Sequence, residues 1–132
     1  MREIKFRAWD DVEDKMYYTG EETDIIFYFD DNGIVAEKIL GDYETEKLPY
    51  LKYMPFTGLY DRKGTPIYEG DIAKSGKRLF VARWNNDIAS FVWEPLDGES
   101  SYPCFNVGTV KNVEIVGNIY ENPELLNGEK RN

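Results

Sequence analysis

The sequence predicts a mainly β protein built from short antiparallel strands and hairpins. Two observations predict this fold class: β-branched and aromatic residues form short runs, and tight-turn residues separate the runs at close intervals. Twenty of the 132 residues are Phe, Tyr or Trp, which provides enough apolar surface for a folded core. We therefore expect an SH3-like small barrel in the C-terminal half (55–126), packed against an acidic N-terminal β-hairpin lobe (1–54), and a frayed polar tail (127–132). The alternative is one compact unit.

The N-terminal lobe contains four predicted strands, each with period-2 alternation or a β-forming composition: residues 4–9, 15–18, 25–29 and 34–40. An acidic turn at 10–14 joins the first two strands. Asp31, Asn32 and Gly33 supply the positive-φ positions of a hairpin turn between the third and fourth strands. Residues 41–52 are acidic and ambiguous in pattern, so we expect a loop there with at most one helical turn.

The C-terminal half contains five predicted strands with tight connections, which is the size of a small SH3-like barrel: one that starts at Pro66, then 72–74, 78–84, 88–93 and 113–120. Residues 61–64 suit a type I turn that ends in a left-handed glycine, and residues 69–71 form a second sharp corner. Residues 85–87 are a short loop whose side chains tolerate left-handed φ. Asn122 is expected to cap a final helical turn that starts at Pro123.

Three segments carry a family resemblance: Met1–Asp10 (MREIKFRAWD), Phe56–Ile72 (FTGLYDRKGTPIYEGDI) and Val113–Leu126 (VEIVGNIYENPELL). Together, and in this order, they resemble the YopX protein family, which comprises small proteins encoded mainly by bacteriophages and prophages. The resemblance spans nearly the whole chain, although residues 20–50 match no block. It implies a mostly β fold and a bacterial or phage-infected cytoplasm. The family lacks an established biochemical activity, so the resemblance implies no catalytic residues.

The charge is acidic and unevenly distributed. The formal net charge is −9, and residues 1–54 carry 7 basic and 14 acidic side chains, against 9 and 11 in residues 55–132. Proteins that coat nucleic acid neutralise phosphates with clustered Lys and Arg, so that class is disfavoured. No window approaches the roughly 18 apolar residues of a membrane span, and residues 1–7 lack the apolar stretch of a signal peptide. We expect a soluble protein of the bacterial cytoplasm that does not bind membranes.

The residue types that most often carry catalysis are scarce. The chain has no histidine, which excludes Ser-His-Asp and Cys-His catalysis. Cys104 is the single cysteine, so no intrachain disulfide or thiolate metal cluster can form, and we expect a buried small apolar residue there. Asp30–Gly33 begins like a calcium loop, but Ile39 stands where that loop needs a glutamate. The sequence therefore predicts no catalytic, cofactor-binding or metal-binding residue and no cofactor.

Glu69 and Asp71 are the carboxylates most compatible with a catalytic or cation-binding role, because they flank Gly70 and would point the same way in an extended chain. Such a pair could raise one pKa or bind a hard cation. The structural interpretation is that Asp71 caps backbone N–H groups in the corner and that Glu69 is solvated. We favour the structural interpretation.

Three functions are compatible with these features. The preferred one is a non-enzymatic phage or prophage accessory protein that forms a homo-oligomer or binds a host or phage protein, with mimicry of DNA by the acidic half as a variant. Because aromatic faces stack on bases and cations meet phosphates, the alternative is a small β-barrel that binds single-stranded nucleic acid through four residues: Arg78, Arg83, Trp84 and Trp93. A structural role for these four side chains and the net charge both oppose this alternative. The third function, a metal-dependent enzyme at the 69/71 carboxylate pair, has the least support.

Overall fold

The computed structural model describes residues 3–99 and 103–130, and the side chains of 128–130 lie outside the described part. It confirms the predicted fold class, because the described residues are mainly β and their assigned strand pairs are antiparallel. The strands are β1 (Phe6–Asp10), β2 (Lys15–Tyr18), β3 (Ile25–Asp30), β4 (Gly33–Ile39), β5 (Thr45–Lys47), β6 (Lys52–Tyr60), β7 (Pro66–Tyr68), β8 (Asp71–Ser75), β9 (Arg78–Asn85), β10 (Ser90–Pro95) and β11 (Glu114–Asn118). Short 3₁₀ helices span Thr109–Asn112 and Pro123–Lys130.

The chain divides into two compact units, residues 5–54 and residues 1–4 together with 55–132. In the first unit, β1 and β2 form an antiparallel hairpin in which Ala8 lies opposite Tyr17. Strands β3, β4 and β5 form an antiparallel sheet in that order. Side chains from both sheets and from the following segment form the buried core of this unit: Ala8, Tyr17, Ile25, Ala36, Leu48 and Leu51. Removing their apolar surface from water stabilises the unit.

Three aromatic rings extend this core. The ring centroids of Phe6 and Phe27 lie 5.4 Å apart, those of Phe6 and Tyr53 5.5 Å, and those of Phe27 and Tyr53 6.4 Å, all in edge-to-face orientation. This is the arrangement that the ring quadrupole favours. Burial also raises the pKa of the Tyr53 hydroxyl.

Asp10 holds the turn between β1 and β2. It is 1% exposed, and its Oδ1 accepts hydrogen bonds from the N–H groups of Val12 (2.9 Å) and Glu13 (3.0 Å). Its Oδ2 accepts one from the Tyr17 hydroxyl (2.7 Å). Burial raises the pKa of Asp10, but these hydrogen bonds lower it by more, so it lies below its ordinary value. Burial, followed by the contact with Asp10, raises the pKa of Tyr17 above its ordinary value.

The structure confirms one expectation for this unit and corrects another. The hairpin turn at residues 31–33 is confirmed, because Asp30 pairs with Gly33, whose φ is 117°. The expectation of a loop throughout residues 41–52 is wrong, because Thr45–Lys47 forms β5 and pairs with β4. All three residues of β5 are exposed. A strand this short and this exposed carries no apolar alternation that could reveal it.

In the second unit, four antiparallel strands lie in the order β10-β9-β8-β11, and Phe56 of β6 pairs with Tyr68 of β7. Closure of these strands into an SH3-like barrel stays a prediction. Trp93 is fully buried, and its ring centroid lies 4.6 Å from that of Phe105 and 6.5 Å from that of Phe80. Its Nε1 has no hydrogen-bond partner among the described residues. Packing therefore positions this ring.

Asp61 connects the turn at residues 61–64 to strand β11. Its side chain is buried, and Oδ1 accepts hydrogen bonds from the N–H groups of Lys63 (2.9 Å) and Thr65 (2.8 Å). Oδ2 accepts a third from the N–H of Ile115 (2.8 Å). Gly64 has a φ of 82°, which confirms the predicted left-handed position. One carboxylate thus satisfies donors from two distant segments.

The backbone of β11 comes close to the Asn122 side chain at Gly117. Its pairing with β8 shifts between Ile115 and Gly117. An added Cβ at Gly117 would lie 2.5 Å from Asn122 Oδ1, and that oxygen accepts a hydrogen bond from the Asn118 N–H (3.1 Å). The helix begins at Pro123, as predicted. The Asn122 side chain, which we expected to cap this helix, instead accepts a hydrogen bond from β11.

The segment Pro123–Lys130 comprises two short helical turns that meet at a kink at Asn127 (φ −106°, ψ 21°). Residues 128–130, which we expected to belong to a frayed tail, form the second turn, while residues 131 and 132 lie outside the described residues. Within residues 3–99 and 103–130, no helix has the length and apolar composition required to cross a membrane.

Candidate interaction surface

The four residues predicted to bind single-stranded nucleic acid do not form one surface. Trp93 is fully buried and has no face available to a base. Trp84 is 43% exposed, and its ring lies edge-to-face against Phe91 at 5.1 Å. The structure thus corrects the alternative surface, because one of its two tryptophans belongs to the core.

Strand geometry also separates Arg83 from Trp84. Successive side chains of a strand point to opposite faces. Trp84 shares its face of β9 with the core residues Phe80 and Ala82, so Arg83 lies on the other face. There the Arg83 Nε is 3.4 Å from the Glu94 Oε1. A bound base on Trp84 would therefore not place its phosphate near Arg83.

Arg78 lies at the opposite end of β9, about 20 Å along the strand from Trp84 at the usual rise per residue. Its Nε and Nη2 donate to the Asp97 carboxylate at 2.6 Å and 3.2 Å, and its guanidinium lies 4.8 Å from the centroid of Phe80. The hydrogen bond from Arg78 lowers the pKa of Asp97. Both arginines of the predicted surface are thus paired with carboxylates, which compete with phosphate.

Glu69 and Asp71 accept backbone hydrogen bonds. Asp71 is 2% exposed, and its Oδ2 accepts from the N–H of Tyr68 at 2.8 Å, which confirms the cap predicted for Asp71. The Glu69 Oε2 accepts from the N–H of Trp84 at 3.3 Å. In the part of the chain that the structure describes, no three Asp, Glu or Cys side chains lie close enough together to hold a metal ion.

Cys104 is exposed, so the expectation of a buried apolar residue there is wrong. The reason is local, since the neighbouring Phe105 packs against Trp93 instead. A groove of about 270 Å³ lies beside the thiol and is lined mainly by apolar side chains, including Ile88, Phe91 and Phe105.

Exposed apolar side chains gather on the sheet formed by β3, β4 and β5. On β3, Ile26 is 47% exposed, Tyr28 39% and Phe29 72%. Ile26 and Tyr28 share one face, and Phe29 lies on the other. Further exposed apolar residues follow at the end of β4 and in the loop after it: Ile39, Leu40 and Tyr43.

A hydrogen-bonded chain fixes the outer face of this sheet. Glu37 lies opposite Ile26 and accepts hydrogen bonds from the hydroxyl of Tyr28 and from that of Thr45 (2.7 Å). The bond from Tyr28 lowers the pKa of Glu37 and raises that of the tyrosine. The aromatic ring is therefore held in place at the sheet edge, beside a carboxylate that stays ionised.

Sequence reasoning identified residues 25–29 as a strand and missed their exposure. The signal was present, because all five residues are apolar or aromatic and show no alternation. That pattern is typical of a strand buried on both faces. Here the strand lies at the edge of its sheet, and only Ile25 is fully buried, with Phe27 partly buried.

Known proteins similar to this chain share its fold. The model of the family described as YopX protein matches residues 5–127. The crystal structure of protein EF1440 from Enterococcus faecalis is similar, with a TM-score of 0.66 and 26% identity, over 96% of this chain and 99% of that chain. The crystal structure of protein YopX from Bacillus subtilis gives a TM-score of 0.64 and 18% identity, over 96% and 97%. No curated protein matches this chain.

Proposed function

The chain belongs to the YopX protein family, and from that premise we propose that it is a non-enzymatic phage or prophage accessory protein that binds another protein or self-assembles. The observation that carries the proposal is that β3 exposes apolar side chains on both faces, Ile26 and Tyr28 on one and Phe29 on the other. Single exposed apolar residues are common on folded proteins, but three on one six-residue strand support a role in binding.

Two grooves among the described residues support binding over catalysis. One, of about 250 Å³, is lined by residues of β3 to β6 and the segment between β5 and β6, and its ionisable members are Asp30, Lys47 and Tyr53. The other groove has a volume of about 270 Å³, and Cys104 is the one ionisable residue among those that line it. An active site usually brings together an acid, a base or a nucleophile with groups that orient them. Neither groove assembles such a set.

The charge pattern supports a protein partner over nucleic acid. The net charge is −9, and the arginines at 78 and 83 face Asp97 and Glu94. To bind phosphate, the two arginines would have to leave these carboxylates, and the nucleic acid would have to approach a protein of the same charge sign.

Affinity capture from infected or lysogenic host cells, with and without nuclease, tests the proposal when followed by mass spectrometry. We expect a protein partner that is retained after nuclease treatment, or self-association seen by size-exclusion chromatography with light scattering. A concentration-independent monomer that captures no specific protein would overturn the proposal. Partners that disappear with nuclease would instead favour the nucleic-acid alternative.

A further inference from the structure

Strand β3 is an edge strand with one open backbone side. Its sheet has the order β3-β4-β5. The N–H of Ile39 donates to the carbonyl of Asp24 at 2.7 Å, so in this antiparallel ladder the even-numbered residues of β3 bond to β4. Ile25, Phe27 and Phe29 therefore direct their N–H and C=O groups away from β4. On that side, the described part of the chain supplies no further strand.

Three features that often protect a sheet edge are missing from β3: lysine, proline and a bulge. β3 has the sequence IIFYFD and pairs with β4 without a register shift. Ile26 and Phe29 are 47% and 72% exposed. A regular, apolar, open edge is a template for the addition of another strand.

Charge distinguishes between the possible strands that could be added. Residues 21–47 carry nine acidic and two basic side chains, and Asp24 and Asp30 bracket β3. If two copies paired antiparallel about Phe27, Asp24 of each copy would lie opposite Asp30 of the other. Like charges directly opposite one another destabilise a strand pair. The surface therefore favours a basic partner over a second copy.

We infer that β3 accepts, by strand addition, an extended segment of a partner protein with apolar side chains at its centre and Lys or Arg at both ends. Backbone hydrogen bonds to Ile25, Phe27 and Phe29 supply affinity, and the flanking Asp24 and Asp30 select for positive charge. The inference rests on the proposed function, because it names the chemistry of the protein that is bound.

The probe is a short fluorescent peptide with two lysines at each end and alternating valine and threonine residues between them. Fluorescence anisotropy with the whole chain measures its binding. We expect binding at least about tenfold weaker for the same peptide with glutamate ends. A lysine-ended peptide with proline in place of valine should lose binding similarly, because it cannot form the ladder.

Two pairs of variants locate the site. Phe29→Pro removes an N–H from the open side of β3, and Phe29→Ala controls for the lost ring. Ile26→Lys adds a positive charge on the edge, and Tyr43→Lys adds the same charge in a loop. We expect about tenfold weaker binding for Phe29→Pro than for Phe29→Ala, and for Ile26→Lys than for Tyr43→Lys. Circular dichroism checks that each variant is folded.

Equal binding within either pair of folded variants would overturn the inference, because the peptide would then bind elsewhere. Dimerisation of the wild type that Ile26→Lys abolishes would also overturn it, since a second copy would occupy the edge, and the proposed function would survive. A third outcome is that the peptide binds at β3 but affinity capture finds no host partner and the protein does not self-associate. It would support the edge site and overturn the proposed function.

Discussion

Three aspartates, Asp10, Asp61 and Asp71, are buried at turns and accept hydrogen bonds from backbone N–H groups. Charge-assisted bonds of this kind are stronger than neutral ones, whereas exposed ion pairs contribute little. At the scale of single residues, these carboxylates therefore matter more than the surface pairs such as that of Lys52 with Asp11.

Substitution of Asp61 tests the contribution of one of these carboxylates to stability. Asp61→Ala leaves the N–H groups of Lys63, Thr65 and Ile115 without their acceptor, and we expect the free energy of unfolding to fall by about 3 kcal/mol. Urea denaturation followed by fluorescence measures this change. Asp87→Ala, at an exposed position, is the control and should stay within about 0.5 kcal/mol of the wild type. Similar values for the two variants would contradict the role assigned to Asp61.

The lowered pKa of Asp10 leads us to expect that the free energy of unfolding falls at acidic pH. Its pKa in the folded protein is lowered, so its contribution is fully present above the pKa of the unfolded chain, about 3.9. It is lost as the pH falls through the folded-state pKa, because the unfolded chain takes up the proton first. Urea titrations at decreasing pH measure the effect. Asp10→Asn cannot titrate and should show a flatter dependence; an unchanged slope would contradict the prediction.

Tyr17 leads us to expect a loss of stability at alkaline pH. Its pKa in the folded protein is raised above that of a free tyrosine, about 10. Its contribution is thus fully present below that value and is lost as the pH rises through the folded-state pKa. We expect the free energy of unfolding to decline in alkali above about pH 10, and less steeply in Tyr17→Phe. Equal alkaline slopes would show that the tyrosine does not contribute.

Gly117 and Gly41 provide a matched pair of glycine substitutions. Gly117→Ala would place its methyl group 2.5 Å from the Asn122 Oδ1, displacing the side chain that binds the Asn118 N–H. An added Cβ at Gly41 meets nothing within 4 Å. We expect Gly117→Ala to lose about 1–3 kcal/mol, as overpacking does, and Gly41→Ala to be near neutral. Thermal denaturation of both variants measures the difference, and equal melting temperatures would refute it.

The element scale explains why the predicted nucleic-acid residues separate. Along β9 the alternation of side chains sends Arg83 and Trp84 to opposite faces, and β10 buries Trp93. Because these residues are close in sequence, we expected one surface. Successive side chains of a strand point to opposite faces, however, and this separates them.

Titration with single-stranded oligonucleotides at low salt tests this separation. We expect no quenching of tryptophan fluorescence, because Arg83 lies on the opposite face of β9 from Trp84 and the net charge is −9. A well-characterised single-strand-binding protein serves as the positive control. Salt-sensitive quenching that Trp84→Phe abolishes would favour the alternative function.

Elements with strong composition were predictable, and those decided by tertiary context were not. The hairpin of β3 and β4 follows from its turn residues and apolar strands, and it is present. β5 escaped because three exposed residues carry no pattern. The link from Asp61 to Ile115 joins positions 54 residues apart, and local turn chemistry cannot reveal such a contact.

At the scale of the whole molecule, family and fold class were predictable, because both depend on blocks and spacings along the chain. The candidate surface was not, because whether an apolar strand is central or at the edge depends on strand order. The acidic excess of residues 1–54 was visible in the sequence, but the proposed selection of a basic partner depends on where β3 lies.

Residues 5–54 form their unit from one uninterrupted stretch of chain, whereas Glu3 and Ile4 group with residues 55–132. The hydroxyl of Tyr60 reaches Glu3 at 3.4 Å. Hairpins between neighbouring segments form early, and domains fold in order of synthesis. We therefore expect the β3 edge to be complete while ribosomes are still translating the remaining residues, so that the proposed strand addition would begin on a nascent chain before its release.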